Sequence, residues 1–242
     1  MIDFKTEFGL IEIKWGVFLR AVILLSGGLD STVCMSIADK EGYELLPLSF
    51  SYGQRHSREL ECAKLVAHYY HAPIHQVIKT NMEDIGGSAL TDKNAGIPVG
   101  DVNRVGIPDT YVPARNLIFL SYALAFAEVQ KAGFVFIGVN ALDYSGYPDC
   151  RPEFIERFQS VADYATKAST QDGFKIEIKT PLINFTKKEI VKLGHANNAP
   201  MHLSTSCYRG EEVACGICDS CKLRLKGFTE AGLDDSIEYE VR

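Results

Sequence analysis

No stretch of this 242-residue chain approaches the roughly 20 consecutive apolar residues that a bilayer-spanning helix needs. The first 15 residues alternate apolar and charged side chains and lack the continuous apolar core of a secretory signal. A cytoplasmic protein with no membrane partner is therefore expected. A surplus of positive charge is missing as well: 25 Lys and Arg stand against 31 Asp and Glu, for a formal charge of -6. A general grip on nucleic acid needs a basic surface or stripe, so no stable nucleic-acid partner is expected, although a local basic pocket stays compatible with this balance. Internal repeats and low-complexity segments are absent too. So is any phosphate loop ending in Gly-Lys-Ser/Thr.

What is present suits one large globular domain with a small appendage. Hydrophobic residues make up 46% of the chain and charged residues 23%, enough for a substantial core. Ile2, Phe4, Ile11, Ile13 and Trp15 alternate with polar residues around Gly9, which predicts a hairpin. From Arg20 onward, short apolar runs alternate with helical spacing. Strands are expected at 20–25, 45–50, 74–78, 134–139 and 175–178, and helices at 30–40, 57–70, 116–131, 152–167 and 187–194. Such alternation predicts an α/β fold with a mainly parallel, doubly wound sheet. Residues 79–109 hold several Gly and Pro without a sustained period, and a loop of that length inside a compact domain is usually functional.

Ser26-Gly27-Gly28-Leu29-Asp30-Ser31 stands at a strand end and opens a helix. Ligands of parallel α/β sheets sit beyond the carboxyl ends of the strands. Two glycines let the backbone turn its N–H groups onto an anion, and the helix N-terminus adds partial positive charge. Ser26, Ser31 and Thr32 offer hydroxyl donors. Asp30 would repel phosphate unless a cation lay between them, and magnesium is the natural bridge.

Cys207, Cys215, Cys218 and Cys221 read C-x7-C-x2-C-x2-C. In a reducing cytoplasm such a cluster favours metal over disulfides. Four thiolates close a tetrahedral zinc shell and leave no position for water, which predicts one structural zinc. The last three cysteines also resemble part of an iron–sulfur spacing, but nothing else suggests electron transfer. Two excess negative charges would remain, and Arg209, Lys222 and Arg224 are near enough in sequence to offset them.

The SGG-x-DS loop resembles the pyrophosphatase-loop family, whose members cleave ATP between its α and β phosphates. Three further segments narrow the likeness: Ser51-Tyr52-Gly53-Gln54-Arg55-His56, Val112-Pro113-Ala114-Arg115-Asn116, and Gly138 through Ser145-Gly146-Tyr147-Pro148-Asp149-Cys150-Arg151. With the cysteines they resemble, in order and over about 20–225, the 7-cyano-7-deazaguanine synthase family. Residues 1–19 have no counterpart in that pattern. The resemblance implies an adenine nucleotide alpha hydrolase-like fold with an ATP-binding domain (20–205) and a zinc-binding subdomain (206–232), which the expected hairpin extension (1–19) precedes. It implies a ligase that turns 7-carboxy-7-deazaguanine, ammonia and ATP into a nitrile, AMP and pyrophosphate, and a homodimer. It places ATP with magnesium along Leu24, Leu25, Ser26, Gly27, Gly28, Leu29, Asp30, Ser31, Thr32, Val33 and Cys34.

Catalytic roles fall to Asp30, Arg115 and Lys187. Lys187 and Lys188 are unfavourable at a helix start unless an anion lies near. The deazapurine substrate would meet Gln54, Arg55, His56, Asp143, Asp149 and Arg151. The ring's N–H donors call for a carboxylate, and the sequence leaves Asp143 and Asp149 as equals; His56 could instead cap the following helix. Cys150 needs no nucleophilic role, and the thiols of Cys34 and Cys62 read as core. The competing readings are a tRNA-modifying sulfurtransferase or lysidine-type synthetase of the same superfamily, and a zinc knuckle that binds nucleic acid. The acidic charge and the committed cysteines weigh against the two enzymes; few aromatics (Tyr208, Phe228) and a phosphate loop left unexplained weigh against the knuckle.

Overall fold

The computed structural model describes residues 19–54, 57–92, 95–96, 99–101, 106–142 and 147–242. The expected hairpin, apart from Leu19, lies outside them, as do Arg55, His56 and Asp143. Five strands form one parallel sheet: β1 (Arg20–Leu24), β2 (Glu44–Ser51), β3 (Gln76–Lys79), β4 (Phe134–Ile137) and β5 (Glu177–Lys179), in the order β3-β2-β1-β4-β5. Helices α1 (Leu29–Lys40), α2 (Arg58–Tyr69), α3 (Arg115–Gln130), α4 (Pro152–Ala165), α5 (Lys187–Ala196) and α6 (Asp219–Ala231) cover its two faces.

Side chains along β1 explain the layering. Ala21, Ile23 and Leu25 pack with α1, α2, α5 and α6 on one face, while Val22 and Leu24 pack with α3 and α4 on the other. A strand buried on both faces reads as an unbroken apolar run, which is why RAVILL shows no polar alternation. The chain leaves β1 toward β2 on one side and returns to β4 on the other. That reversal opens a crevice beyond the carboxyl ends of β1 and β4.

Several element bounds shift by one or two residues, and one helix is new. β3 starts two residues later than expected because β2 sets its register, with Leu48 opposite Gln76; Ile74 stays outside at 41% exposure. No helix was expected within 206–232, yet α6 forms there. Cys218 caps it, Cys221 faces inward, and Phe228 joins the core cluster of α1 and α5. Its buried positions are Asp219, Cys221, Arg224, Gly227 and Phe228, so charged and small side chains stand where aliphatic residues would have revealed the helical period. The tail beyond α6 folds back, with Tyr239 bridging to Ala214.

Candidate active site

The crevice is walled by the loop after β1, the end of β2, the start of α3, Gly138 after β4, Lys187 at the start of α5, and a segment running from Thr205 into α6. The β1 loop takes its shape from two contacts. Gly27 has φ +87°, and a Cβ there would lie 2.1 Å from the Glu59 carbonyl oxygen of α2, so only glycine fits. Its own carbonyl accepts from Thr205 N–H at 2.9 Å, tying the loop to the segment that leads into the cysteines.

Gly28 caps α1, and the first intrahelical bond is Thr32 N–H to Gly28 O at 3.1 Å. The amides of Leu29, Asp30 and Ser31 precede that bond and project from the helix end, as an anion site requires. Ser26 Oγ lies 3.0 Å from Ser31 Oγ and accepts from Gly28 N–H at 3.1 Å, which pins the turn. Thr32 departs from expectation. It is fully buried and donates its hydroxyl to Gly28 O at 2.9 Å, so that hydroxyl closes the helix end. Val33 and Cys34 are likewise buried in the core, and burial pushes the Cys34 thiol far up.

Arg115 and Lys187 converge on this loop from opposite sides of the sheet. Ala114, with φ 55°, holds the left-handed conformation that costs a non-glycine residue about 1–3 kcal/mol. Its N–H donates to the Tyr111 hydroxyl at 3.0 Å, and the turn delivers Arg115 into the crevice as the first residue of α3. Burial opposes the Arg115 charge, but Tyr52, Tyr147 and Glu59 around it push its ionisation further up. Tyr52 hydrogen-bonds Arg115, and burial pushes its hydroxyl up to about 12.

Lys187 opens α5 behind a reciprocal cap. Thr186 Oγ1 accepts from Glu189 N–H at 3.3 Å, and Glu189 Oε2 accepts from Thr186 N–H at 2.8 Å. The anion that a lysine at a helix start calls for is Asp30: Lys187 Nζ donates to its two oxygens at 2.8 and 2.7 Å.

Of the expected substrate residues that the structure describes, Gln54, Asp149 and Arg151 do not line the crevice. Gln54 closes the β2 end on itself, accepting from Tyr52 N–H at 2.7 Å and donating to Phe50 O at 3.1 Å. Asp149 is buried behind α3, where its Oδ2 accepts from Asn116 N–H at 2.9 Å, while Oδ1 has no hydrogen-bond partner. Arg151 is exposed at the start of α4. Cys150 lies 3.2 Å from Asn116 Nδ2, and burial pushes its thiol up to about 12, which suits a packing role. Sequence reasoning passed over the crevice residues Glu59, Phe119, Tyr208 and Leu223. It also missed Thr-x-x-Glu at 186–189, a capping-box signal that fixes where α5 begins and hence where Lys187 stands.

The sulfurs of Cys207, Cys215, Cys218 and Cys221 lie within 4.8 Å of one another, and all four residues are buried. A tetrahedron with zinc–sulfur bonds of about 2.3 Å has edges of about 3.8 Å, so the cluster fits a four-thiolate ion. Backbone N–H groups of Cys215 and Cys218 reach the sulfurs of Cys207 and Cys215, each at 3.4 Å. Contacts with Cys218 and Cys221 hold the Cys207 thiol far below its ordinary range, and the contact with Cys207 pushes Cys218 up to about 12.

The three nearby cations meet oxygen partners. Arg209 pairs with Glu240 at 3.6 Å, and Lys222 donates to Gly100 O at 2.7 Å. Arg224, 1% exposed, pairs with Asp235 at 2.7 Å and donates to Ser204 Oγ at 2.8 Å. Ser206 and Tyr208, either side of Cys207, line the crevice, so the cysteine cluster builds one of its walls.

Comparison with known proteins agrees with this geometry. A family model described as queuosine biosynthesis protein QueC matches residues 20–232. A protein of Acetivibrio thermocellus named 7-cyano-7-deazaguanine synthase is 60% identical over 224 residues, covering 92% of this chain and 99% of its own. One from Desulfitobacterium hafniense strain Y51, named 7-cyano-7-deazaguanine synthase 2, is 61% identical over 221 residues, covering 91% of this chain and 93% of its own. A relative from Picrophilus torridus carrying the 7-cyano-7-deazaguanine synthase name is 53% identical over 223 residues, covering 91% and 92%. With the phosphate loop, Arg115, Lys187 and the cysteine cluster in the places described, the chain belongs to the QueC family of queuosine biosynthesis proteins.

Proposed function

We propose that this chain converts 7-carboxy-7-deazaguanine, ammonia and ATP into 7-cyano-7-deazaguanine, AMP and pyrophosphate. The observation that carries the reading is one crevice, at the sheet's reversal point, where the α1 N-terminus, Arg115 and the Lys187–Asp30 pair face one another in a QueC-family chain. A carboxylate is a poor electrophile because expelling oxide is prohibitive. Transfer of AMP makes a mixed anhydride with a good leaving group; ammonia then gives an amide, and a second activation lets the amide oxygen leave as the C≡N bond forms.

The protein's part is positioning and charge neutralisation. The amides of the first α1 turn and the Arg115 fork would hold phosphate oxygens. Asp30 would hold magnesium, which would supply charge screening for the phosphates, and the Lys187 ammonium would neutralise charge on the pyrophosphate leaving group. The apolar side of the crevice, with Phe50, Phe119 and Leu223, offers a surface for flat rings. Zinc on the four cysteines would be structural, holding Ser206 and Tyr208 in the wall. Among the seven cysteines none is exposed, which disfavours a sulfur-transfer reading that needs a reachable thiol.

No helix among the described residues is long and apolar enough to cross a membrane, in keeping with a cytoplasmic enzyme. Leu117, Tyr122 and Val129 of α3 are exposed apolar side chains, at 42%, 41% and 75%, and this supports a homodimer. Light scattering at micromolar concentration should give twice the chain mass; a monomer mass refutes the dimer. The decisive test of function is mass spectrometry of products from 7-carboxy-7-deazaguanine, ammonium and ATP. Nitrile with AMP is expected, and the absence of AMP from folded, metal-replete protein would overturn the reading.

A further inference from the structure

Helix α6 carries a buried glycine, Gly227, in its interior. Glycine is less favourable than alanine there, so the missing side chain calls for a cause in packing. A Cβ built on Gly227 would lie 2.5 Å from Lys187 Cγ, 3.1 Å from Lys187 Cβ and 3.2 Å from the Lys187 carbonyl carbon. These atoms are the root of the side chain and its backbone. Turning the ammonium end cannot relieve such an overlap. The backbone of Lys187 is fixed on its other side by the Thr186–Glu189 cap, and its ammonium grips both oxygens of Asp30.

We propose that Gly227 is a positioning residue. Its bare Cα is the seat on which the Lys187 stem rests, and it sets where the ammonium stands against Asp30 at the phosphate loop. The inference rests on reading this crevice as the ATP site. It also assigns α6 a task beyond carrying cysteines. Cys218 caps the helix and Cys221 lies in its first turn, while Arg224 ties the next turn to Met201 O at 3.0 Å and to Ser204 Oγ at 2.8 Å. The metal-binding cluster and the phosphate-side lysine are thus connected through a single helix.

The expected size follows from the overlap. For Lys187 Cγ to retreat from 2.5 Å to ordinary contact at 3.4–4 Å, the stem must move by about 1 Å. Misplacement on that scale can cost about 10²-fold in rate, so Gly227→Ala should lower kcat for AMP formation by roughly 10- to 100-fold. The test is a double-mutant cycle of Gly227→Ala with Lys187→Ala, reading AMP formation and the thermal unfolding midpoint of each zinc-replete variant. Lys187→Ala removes Cγ, so adding Gly227→Ala to it should cost little further in rate or in midpoint.

Equal losses from Gly227→Ala in both backgrounds, or wild-type turnover by Gly227→Ala alone, would overturn the seat. Should Gly227→Ala alone fail to fold, recovery of folding in the double variant supports the proposal, and no recovery refutes it. Full AMP formation by Lys187→Ala would overturn the ATP-site reading and the seat together, which separates that failure from failure of the seat alone.

Discussion

At the scale of single residues, the molecule uses charge in two distinct ways. Asp30 and Lys187 form a partly buried pair at the phosphate loop, with side-chain exposures of 27% and 14%. Asparagine keeps the shape of Asp30 and one acceptor oxygen for the Lys187 ammonium, so only the charge of the pair is lost. Replacing Asp30 with Asn should therefore leave the unfolding midpoint nearly unchanged while lowering AMP formation by roughly 10²-fold or more, because the carboxylate proposed to act beside the phosphates is lost. Normal turnover by folded Asp30→Asn would refute its role.

Arg224 and Asp235 are the opposite case, with exposures of 1% and 2% and Tyr239 donating a third bond to Asp235 at 2.7 Å. Removing one partner strands a buried charge. Asp235→Ala should cost about 3–5 kcal/mol in denaturant unfolding. A loss below about 1 kcal/mol would mean that water reaches Arg224 after all.

At the scale of elements, what could be read from sequence and what could not divide along physical lines. β1, α1 and the loop between them were legible because a buried strand, a glycine turn and a helix start are all local in sequence. The four cysteines were legible because tetrahedral ligation imposes short spacings. Asp30 meeting Lys187 is a contact across 157 residues, set by the order in which strands cross the sheet, and no local pattern encodes it. Asp149 looked like a substrate contact because it lies in a Gly/Tyr/Pro loop. The structure shows it capping α3 at Asn116, a role that depends on where that helix starts in space.

Helix α6 escaped notice for a related reason, and it carries its own prediction. With Cys218 at its cap and Cys221 facing inward, its first turn depends on what the sulfurs bind. Elemental analysis of purified protein should give one zinc per chain. A Cys221→Ser variant should unfold at lower temperature and lose the metal, since binding energy at such sites is folding energy. Iron with a visible absorption band, or soluble folded protein without metal, would sink the zinc assignment.

At the scale of the whole molecule, the argument concerns how often one site must act. Turning a carboxylic acid into a nitrile removes two oxygens from one carbon. Neither departs as oxide or hydroxide at neutral pH, so each must first be made a leaving group. Among the described residues there is one loop of the SGG-x-DS kind, one Arg115 and one Lys187 facing it, all in one crevice. Sequence and fold supply no second activating centre there, so the same crevice should adenylate first the acid and then the amide, giving two AMP per nitrile. The amide should therefore be a substrate in its own right, one that needs ATP but no ammonia. Supplying synthetic 7-amido-7-deazaguanine with ATP in ammonia-free buffer should yield nitrile with one AMP per product. Asp30→Asn should stop that half-reaction as completely as it stops the first, because both draw on the same phosphate loop. An inert amide, a ratio of one ATP per nitrile from the acid, or an Asp30→Asn variant that spares only the second half would each show that the two oxygens leave by different routes.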